Sequence, residues 1–522
     1  MKTTIDMQVL YVTCTVLAAL ILGYIQAMII YRLWFHPLSK YPGPWLARIS
    51  NLYSAYYAWS GDLHIDMWRC HQKYGDFVRY APNRLLVNTN TGLKAIYGFN
   101  KHVQKSTTYN VMVHRAPSSL TMTDPQESAQ RRRIVGQGFS STAINQYESI
   151  IMEHVQRLAT QLVRRGSDRG SGWSAAQNMS DWGNHFSFDV ISDIVFGARH
   201  ETIGKPDNRY VLGCIDGANI RTSVLFQAAE LTFGRVDRYL FPKSIESRNR
   251  FTPFVSSLVR TRLQSHDASR NDAFSLLVRA KDPETSEGLS MDAIGGECTT
   301  LVMAGSDITS TVIASTLFYL STHTESYDRV KSELQQAFPT ADDVRLGHRL
   351  NSCRYLRACI EESLRLSPPV GGAPWRRVVS DGLLVDGQSI PAGCDVGTSV
   401  YALHHNSAYF KAPFVFRPSR WLTDSGAQGR ESRDIRLAQS AFAPFSIGPR
   451  SCLGKGMAYA ELTLVLATLL SKYDMRAAEG PMRGIGGGRV GAPWGRHREN
   501  EFQLTGHVTS AKTGPYVEFK KS

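Results

Sequence analysis

Ten residues near the C-terminal end, Phe445-Ser-Ile-Gly448-Pro-Arg450-Ser-Cys452-Leu-Gly454, combine residue types that suit a bound planar group. Cys452 stands just before a segment with helical apolar spacing that starts near residue 455. A helix N-terminus offers unpaired N–H groups and a partial positive charge. Both stabilise a thiolate and lower its pKa. Gly448 and Gly454 allow the backbone to approach a flat ligand closely. Phe445 is placed to shield the sulfur from water, and Arg450 to pair with a carboxylate on that ligand. A second constellation is Glu362-Ser-Leu-Arg365, whose spacing of three puts both side chains on one helical face. Pro368-Pro369 then ends that helix. Taken alone, such a pair reads as an exposed ion pair of small value.

Five positions of the first stretch fit the pattern FxxGxRxCxG. Chance in a chain this long is on the order of one in ten thousand. The sequence here resembles the cytochrome P-450 superfamily. The resemblance implies that Cys452 is the proximal thiolate ligand of a heme b iron, a ligand that favours O–O cleavage. Further matches fall in the family's order. Glu362 and Arg365 resemble its ExxR motif, and Arg420, in Phe416-Arg-Pro-Ser-Arg420-Trp421, resembles the third member of a structural clamp. Ser419 stands where a glutamate is usual.

Ala304-Gly305-Ser306-Asp307-Ile308-Thr309 resembles the family's oxygen-binding stretch, with small residues leaving room for dioxygen and substrate. By resemblance Asp307 relays protons. Ile308 replaces the usual hydroxyl, so Thr309 or a water is expected in that role. Arg132, within Arg131-Arg132-Arg133, and Arg376 or its neighbour Arg377 resemble heme-propionate partners, for which the planar guanidinium is suited. Ser128 departs from the aromatic or histidine usual there. Tyr31-Arg-Leu-Trp-Phe-His-Pro37-Leu38, Tyr41-Pro-Gly-Pro44 and the surroundings of Trp494 look like those of fungal microsomal members. The resemblance runs from about residue 31 to 520. It implies a substrate pocket drawn from residues 106–120, 220–232, 300–309 and 369–373.

The elements that must position these residues are mostly helical. Apolar spacing predicts helices over 145–165, 181–197, 290–322, 325–337, 353–366 and 455–473. Shorter strand patterns lie near 76–80, 84–89, 383–390, 395–400 and 515–520. The expected fold is mainly α with small β sheets, a cytochrome P-450 fold behind a single N-terminal transmembrane helix. Residues 7–31 contain no charge, and about 25 helical residues reach past a hydrocarbon core of roughly 30 Å. The stretch is longer than a signal peptide's apolar region. The expected organisation is an anchor over 1–32, a stiff, extended Pro-rich linker over 33–44, and a catalytic domain over 45–522. Arg32, Lys40 and Arg48 follow the span, which favours a cytosolic catalytic domain, and the resemblance to microsomal members implies the endoplasmic reticulum membrane.

The 522 residues are 43% hydrophobic and 20% charged, an ordinary globular composition. Eight cysteines, with no CxxC pair, argue against a disulfide framework or zinc ribbon. GIGGGRVG at 484–491 lacks the third glycine of a dinucleotide fingerprint, GxSxG is absent, and His404-His405 reads as structural. With no nucleotide domain, electrons must come from outside the chain. The resemblance implies NADPH-derived electrons through NADPH-cytochrome P-450 reductase, with cytochrome b5 as a further partner. A net charge of +14 suits an acidic redox partner and an anionic membrane face. The arginines are scattered and no basic–aromatic module appears, so no nucleic-acid binding is expected. The function implied is insertion of one oxygen atom from O2 into a lipophilic molecule of fungal secondary metabolism. A reductase-independent heme-thiolate isomerase or dehydratase, prompted by Ile308, and a heme sensor stay open on the residues alone.

Overall fold

The computed structural model describes residues 2–99, 102–113, 116–164, 172–264, 272–379, 381–422 and 430–522. The first helix, α1 (Lys2–Ile30), runs alone. The apolar stretch Leu10–Phe35 has a mean hydropathy of 2.0 and none of it is buried. The stretch is long and apolar enough to cross a membrane, and the helix fits a membrane anchor. Residues 31–35 differ from the expected extended linker. They continue as a π-helical turn, Tyr31–Phe35, because the first proline able to stop the helix is Pro37. Beyond it the chain turns and packs down. Leu38 is fully buried and Tyr41 nearly so. A Cβ on Gly43 would collide with the Arg79 carbonyl. Buried Arg79 donates to the carbonyls of Pro82 and Arg32, and Arg48 donates 3.0 Å to the Leu33 carbonyl. The connector is therefore part of the body's packing.

The other main helices are α2 (Pro125–Val135), α3 (Ser141–Arg164), α4 (Met179–Phe196), α5 (Tyr210–Gln227), α6 (Pro242–Gln264), α7 (Met291–Thr322), α8 (Thr324–Ala337), α9 (Arg354–Leu366) and α10 (Lys455–Lys472). The 32-residue α7 crosses the core, capped at its start by the Ser290 side chain, which accepts from the Ala293 amide. It lies tightly along α4. A Cβ on Gly305 would stand 2.6 Å from Ile191 Cγ1, and one on Gly183 would stand 3.1 Å from the Ser310 carbonyl oxygen. Gly305 thus serves helix–helix approach.

Five short strands form the larger sheet: β1 (Phe77–Ala81), β2 (Arg84–Val87), β3 (Val103–Lys105), β4 (Arg376–Val378) and β5 (Asp395–Gly397), in the order β1-β2-β5-β4-β3. The β3–β4 register pairs Lys105 with Arg376. Gln177–Asn178, Tyr516–Lys521 and Tyr473–Ala477 make a second sheet, and Leu383–Val385 with Gln388–Ile390 a hairpin. The predicted helices and strands appear within a few residues of their expected bounds, except that the run 383–390 folds back as the hairpin Leu383–Val385 with Gln388–Ile390; residue 165 lies outside the described residues. Helices α5 and α6 were not anticipated. Pro253 inside α6 argues for a break in sequence, yet packing of α6 on α5 retains the helix.

Candidate active site

Cys452 is set by a tight loop. Its amide donates 2.8 Å to the Phe445 carbonyl, closing the loop on itself. Gly448, at φ +69°, presses on Tyr97 and Gly98, where a Cβ would collide with the Tyr97 carbonyl. Only glycine meets both demands. Phe445 is buried, its ring 5.1 Å from that of Tyr459. Gly454 is the N-cap of α10, and its backbone N–H lies where it favours negative charge on the Cys452 sulfur. Cys452 is exposed, yet its thiol lies deep among other groups. That depth raises its pKa, while the Gly454 amide, Arg132 and Lys455 act against the rise.

Four cations gather beside this loop. Arg132 Nη2 donates 2.7 Å to the Ser451 carbonyl. Arg450 donates to the Ser128 hydroxyl and to the carbonyls of Thr123 and Asp124. Ser128, the departure from the family pattern, thereby receives Arg450. Arg376 is buried, 5.0 Å over the Tyr97 ring, whereas Arg377 turns to Asp395 at 3.3 Å. Lys105, which the motif reading missed, is buried 4.4 Å over the Tyr109 ring. Burial, then Arg376, Arg450 and Arg132, hold the Lys105 ammonium well below its ordinary pKa. Burial and the same neighbours push Arg450 down to about 10. Arg131 and Arg133 point elsewhere, to Glu297 and Asp282. Crowded cations in a low-dielectric site are costly unless an anion joins them. The cluster thus fits a planar group with two carboxylates beside the Cys452 sulfur, and heme has that donor pattern.

The Glu362 cluster holds the underside. Glu362, Arg365 and Arg420 are all buried. Arg365 grips Glu362 through two bonds of 2.9 Å, and Arg420 Nε adds another at 2.9 Å. The Arg417 amide and Trp421 Nε1 each donate 3.0 Å to the same carboxylate. Burial works to raise the Glu362 pKa, but Arg365 and Arg420 outweigh it and the net shift is downward. Ser419 is exposed and takes no part. His404 joins this cluster to the cysteine segment: its carbonyl accepts from Arg365 at 2.9 Å, and its Nε2 accepts from the Ala443 amide at 3.1 Å.

On α7, Asp307 is buried with Oδ1 3.4 Å from Lys512 Nζ, which also donates 2.8 Å to Asn184. Asp307 Oδ2 is buried and has no hydrogen-bond partner among the described residues. Nearby Asp216 is pushed up to about 6 by burial and by the charge of Asp307, against the pull of Lys512. Thr309 is buried, with Glu461 of α10 nearby, a carboxyl that burial pushes up to about 8 while the Thr309 hydroxyl acts against the rise.

A cavity of about 690 Å³ lies between α5, α6, α7 and the segment 107–113. Val111, Arg221, Thr222 and Met303 come from three of the four expected pocket segments, while 369–373 contributes no lining residue. Residues 114 and 115 lie outside the described residues.

Comparison with known proteins agrees with this arrangement. The cytochrome P-450 family model matches residues 41–483. A cytochrome P-450 monooxygenase of Penicillium oxalicum, poxM, is 44% identical over 499 residues, covering 95% of this chain and 93% of its own. Another from Emericella nidulans, atnE, is 42% identical and covers 94% of this chain and 93% of its own. A third, apf7 of Gibberella fujikuroi, is 41% identical, with 94% and 95% covered. The chain belongs to the cytochrome P-450 family, and its relatives define a heme-thiolate monooxygenase.

Proposed function

We propose that Cys452 is the axial ligand of the heme iron in a membrane-anchored monooxygenase. On this reading it inserts one oxygen atom from O2 into a lipophilic molecule of fungal secondary metabolism. The observation that carries the reading is the cation cluster beside Cys452 in a chain of this family. Heme, when bound, supplies the oxygen activation that no protein side chain can perform. The chain's residues do the rest. Phe445 and Gly448 shape the cysteine loop, and the Gly454 amide steadies the sulfur. Arg132, Arg376, Arg450 and Lys105 receive the propionates. Glu362, Arg365 and Arg420 clamp the scaffold beneath. Asp307, kept in place by Lys512, would pass protons toward the bound oxygen, with Thr309 or a water standing in for the hydroxyl that Ile308 lacks.

Residues 1–32 serve as the anchor, 33–44 as the linker and 45–522 as the catalytic domain. The exposed aromatics Trp34, Phe35 and Trp45 suit the membrane interface. Arg32, Lys40 and Arg48 favour a cytosolic domain on the endoplasmic reticulum. Electrons come from NADPH through its cytochrome P-450 reductase, with cytochrome b5 as a second donor.

The test uses purified full-length protein, reduced and exposed to carbon monoxide. A red-displaced Soret band and product formation that requires both NADPH and reductase are expected. Turnover without reductase would overturn the monooxygenase reading. Asp307→Asn is expected to lower product formation on the order of 10²-fold, with the carbon monoxide spectrum unchanged. Product measured against NADPH consumed checks it, and unaltered yield would remove Asp307 from proton transfer.

A further inference from the structure

The 690 Å³ cavity has an uneven wall. Phe251, Val255, Val259 and Met303 make an apolar side, while Arg221 and Arg248 bring two guanidiniums to it. Arg221 Nε donates 2.7 Å to Oδ2 of buried Asp237, and its Nη2 reaches the same oxygen. Arg248 is half-buried and donates 3.2 Å to the Asn249 side-chain oxygen. It has no carboxylate within 4 Å among the described residues. Burial and the charges of Arg221 and Arg238 push its pKa down, with Asp237 offsetting only in part. Of the two guanidiniums that line the cavity, Arg221 has its carboxylate in Asp237 and Arg248 has none, which leaves Arg248 as an unpaired positive charge on a wall of apolar, hydroxyl and amide side chains. A half-buried cation without an anion is costly, and a planar guanidinium is shaped to receive a carboxylate.

We propose that this cavity takes its substrate as an amphipathic carboxylate monoanion, held by Arg248 and Arg221. The apolar body of the acid lies along Phe251, Val255, Val259 and Met303. This names the substrate class for the monooxygenase proposed above and rests on that reading.

The test uses heme-loaded full-length protein in detergent, with dodecanoate and methyl dodecanoate as probes. Calorimetry and the optical shift on binding are the readouts. Dodecanoate is expected to bind at least about tenfold tighter than its ester, a difference of ~1.4 kcal/mol. Added salt should weaken the acid alone. Arg248→Met should abolish the preference and leave the ester's Kd within about twofold, whereas Arg248→Lys should retain part of it. Equal affinities of acid and ester in the unaltered protein, or a preference that survives Arg248→Met, would overturn the proposal. Should Arg248→Met fail to fold, the acid–ester comparison and its salt dependence decide the matter. A clear acid preference with no reductase-dependent product would sink the monooxygenase reading and leave the carboxylate site standing. Turnover with no acid preference would do the reverse.

Discussion

Cys452→Ala is expected to give a folded chain that retains little heme, shows no red-displaced carbon monoxide band and forms no product. The loop should survive the change. Its closure depends on the Cys452 amide and the Phe445 carbonyl, neither of which belongs to the sulfur, and the core clusters do not include Cys452. What disappears is the one soft, ionisable donor at the start of α10, where the Gly454 amide, Arg132 and Lys455 all favour negative charge. Heme content after gel filtration, the reduced carbon monoxide spectrum and turnover read this directly. The far-ultraviolet circular dichroism should match the unaltered protein. Wild-type turnover in Cys452→Ala would remove Cys452 from the chemistry altogether.

Glu362→Gln is expected to cost about 3–5 kcal/mol of stability, because it leaves two buried guanidiniums without their anion. Few single changes in this molecule should cost as much. A typical folded domain has only about 5–15 kcal/mol to lose. The carboxylate receives Arg365, Arg420, the Arg417 amide and Trp421, and an amide can accept through only one oxygen. The pH dependence follows from the direction of the shift. The folded pKa of Glu362 lies below its ordinary value, so its stabilisation is present at neutral pH and disappears on strong acidification. Glu362→Gln should flatten that acid limb. Urea unfolding followed by heme absorbance measures both effects, and a midpoint within error of the unaltered protein would show that the cluster is dispensable.

Much of this site was legible because its chemistry is contiguous in the chain. Cys452, Gly448, Gly454 and Arg450 lie within one short stretch, and Glu362 and Arg365 within one helical turn. The completing residues were not legible for a physical reason. Trp421 and the Arg417 amide reach Glu362 from 59 and 55 positions away, through a turn whose path no local pattern encodes. Lys105 is an isolated lysine in a polar run; only the strand register that sets it opposite Arg376 marks it. The contact of Gly305 with Ile191 was not legible, because a glycine that admits a ligand and one that admits a helix look identical in sequence. Glu461 beside Thr309 was not legible either, because which face of α7 meets α10 depends on the packing of two helices far apart in the chain.

The packed connector has a practical corollary. Leu38, Tyr41 and Gly43 belong to the interior of the globule, and the Arg79–Arg32 and Arg48–Leu33 bonds rivet the base of the hydrophobic rod to it. The boundary between what can be trimmed and what the globule needs falls near residue 31, upstream of the prolines. With the joint held by these bonds, an apolar rod lodged in a bilayer would carry the globule's tilt with it.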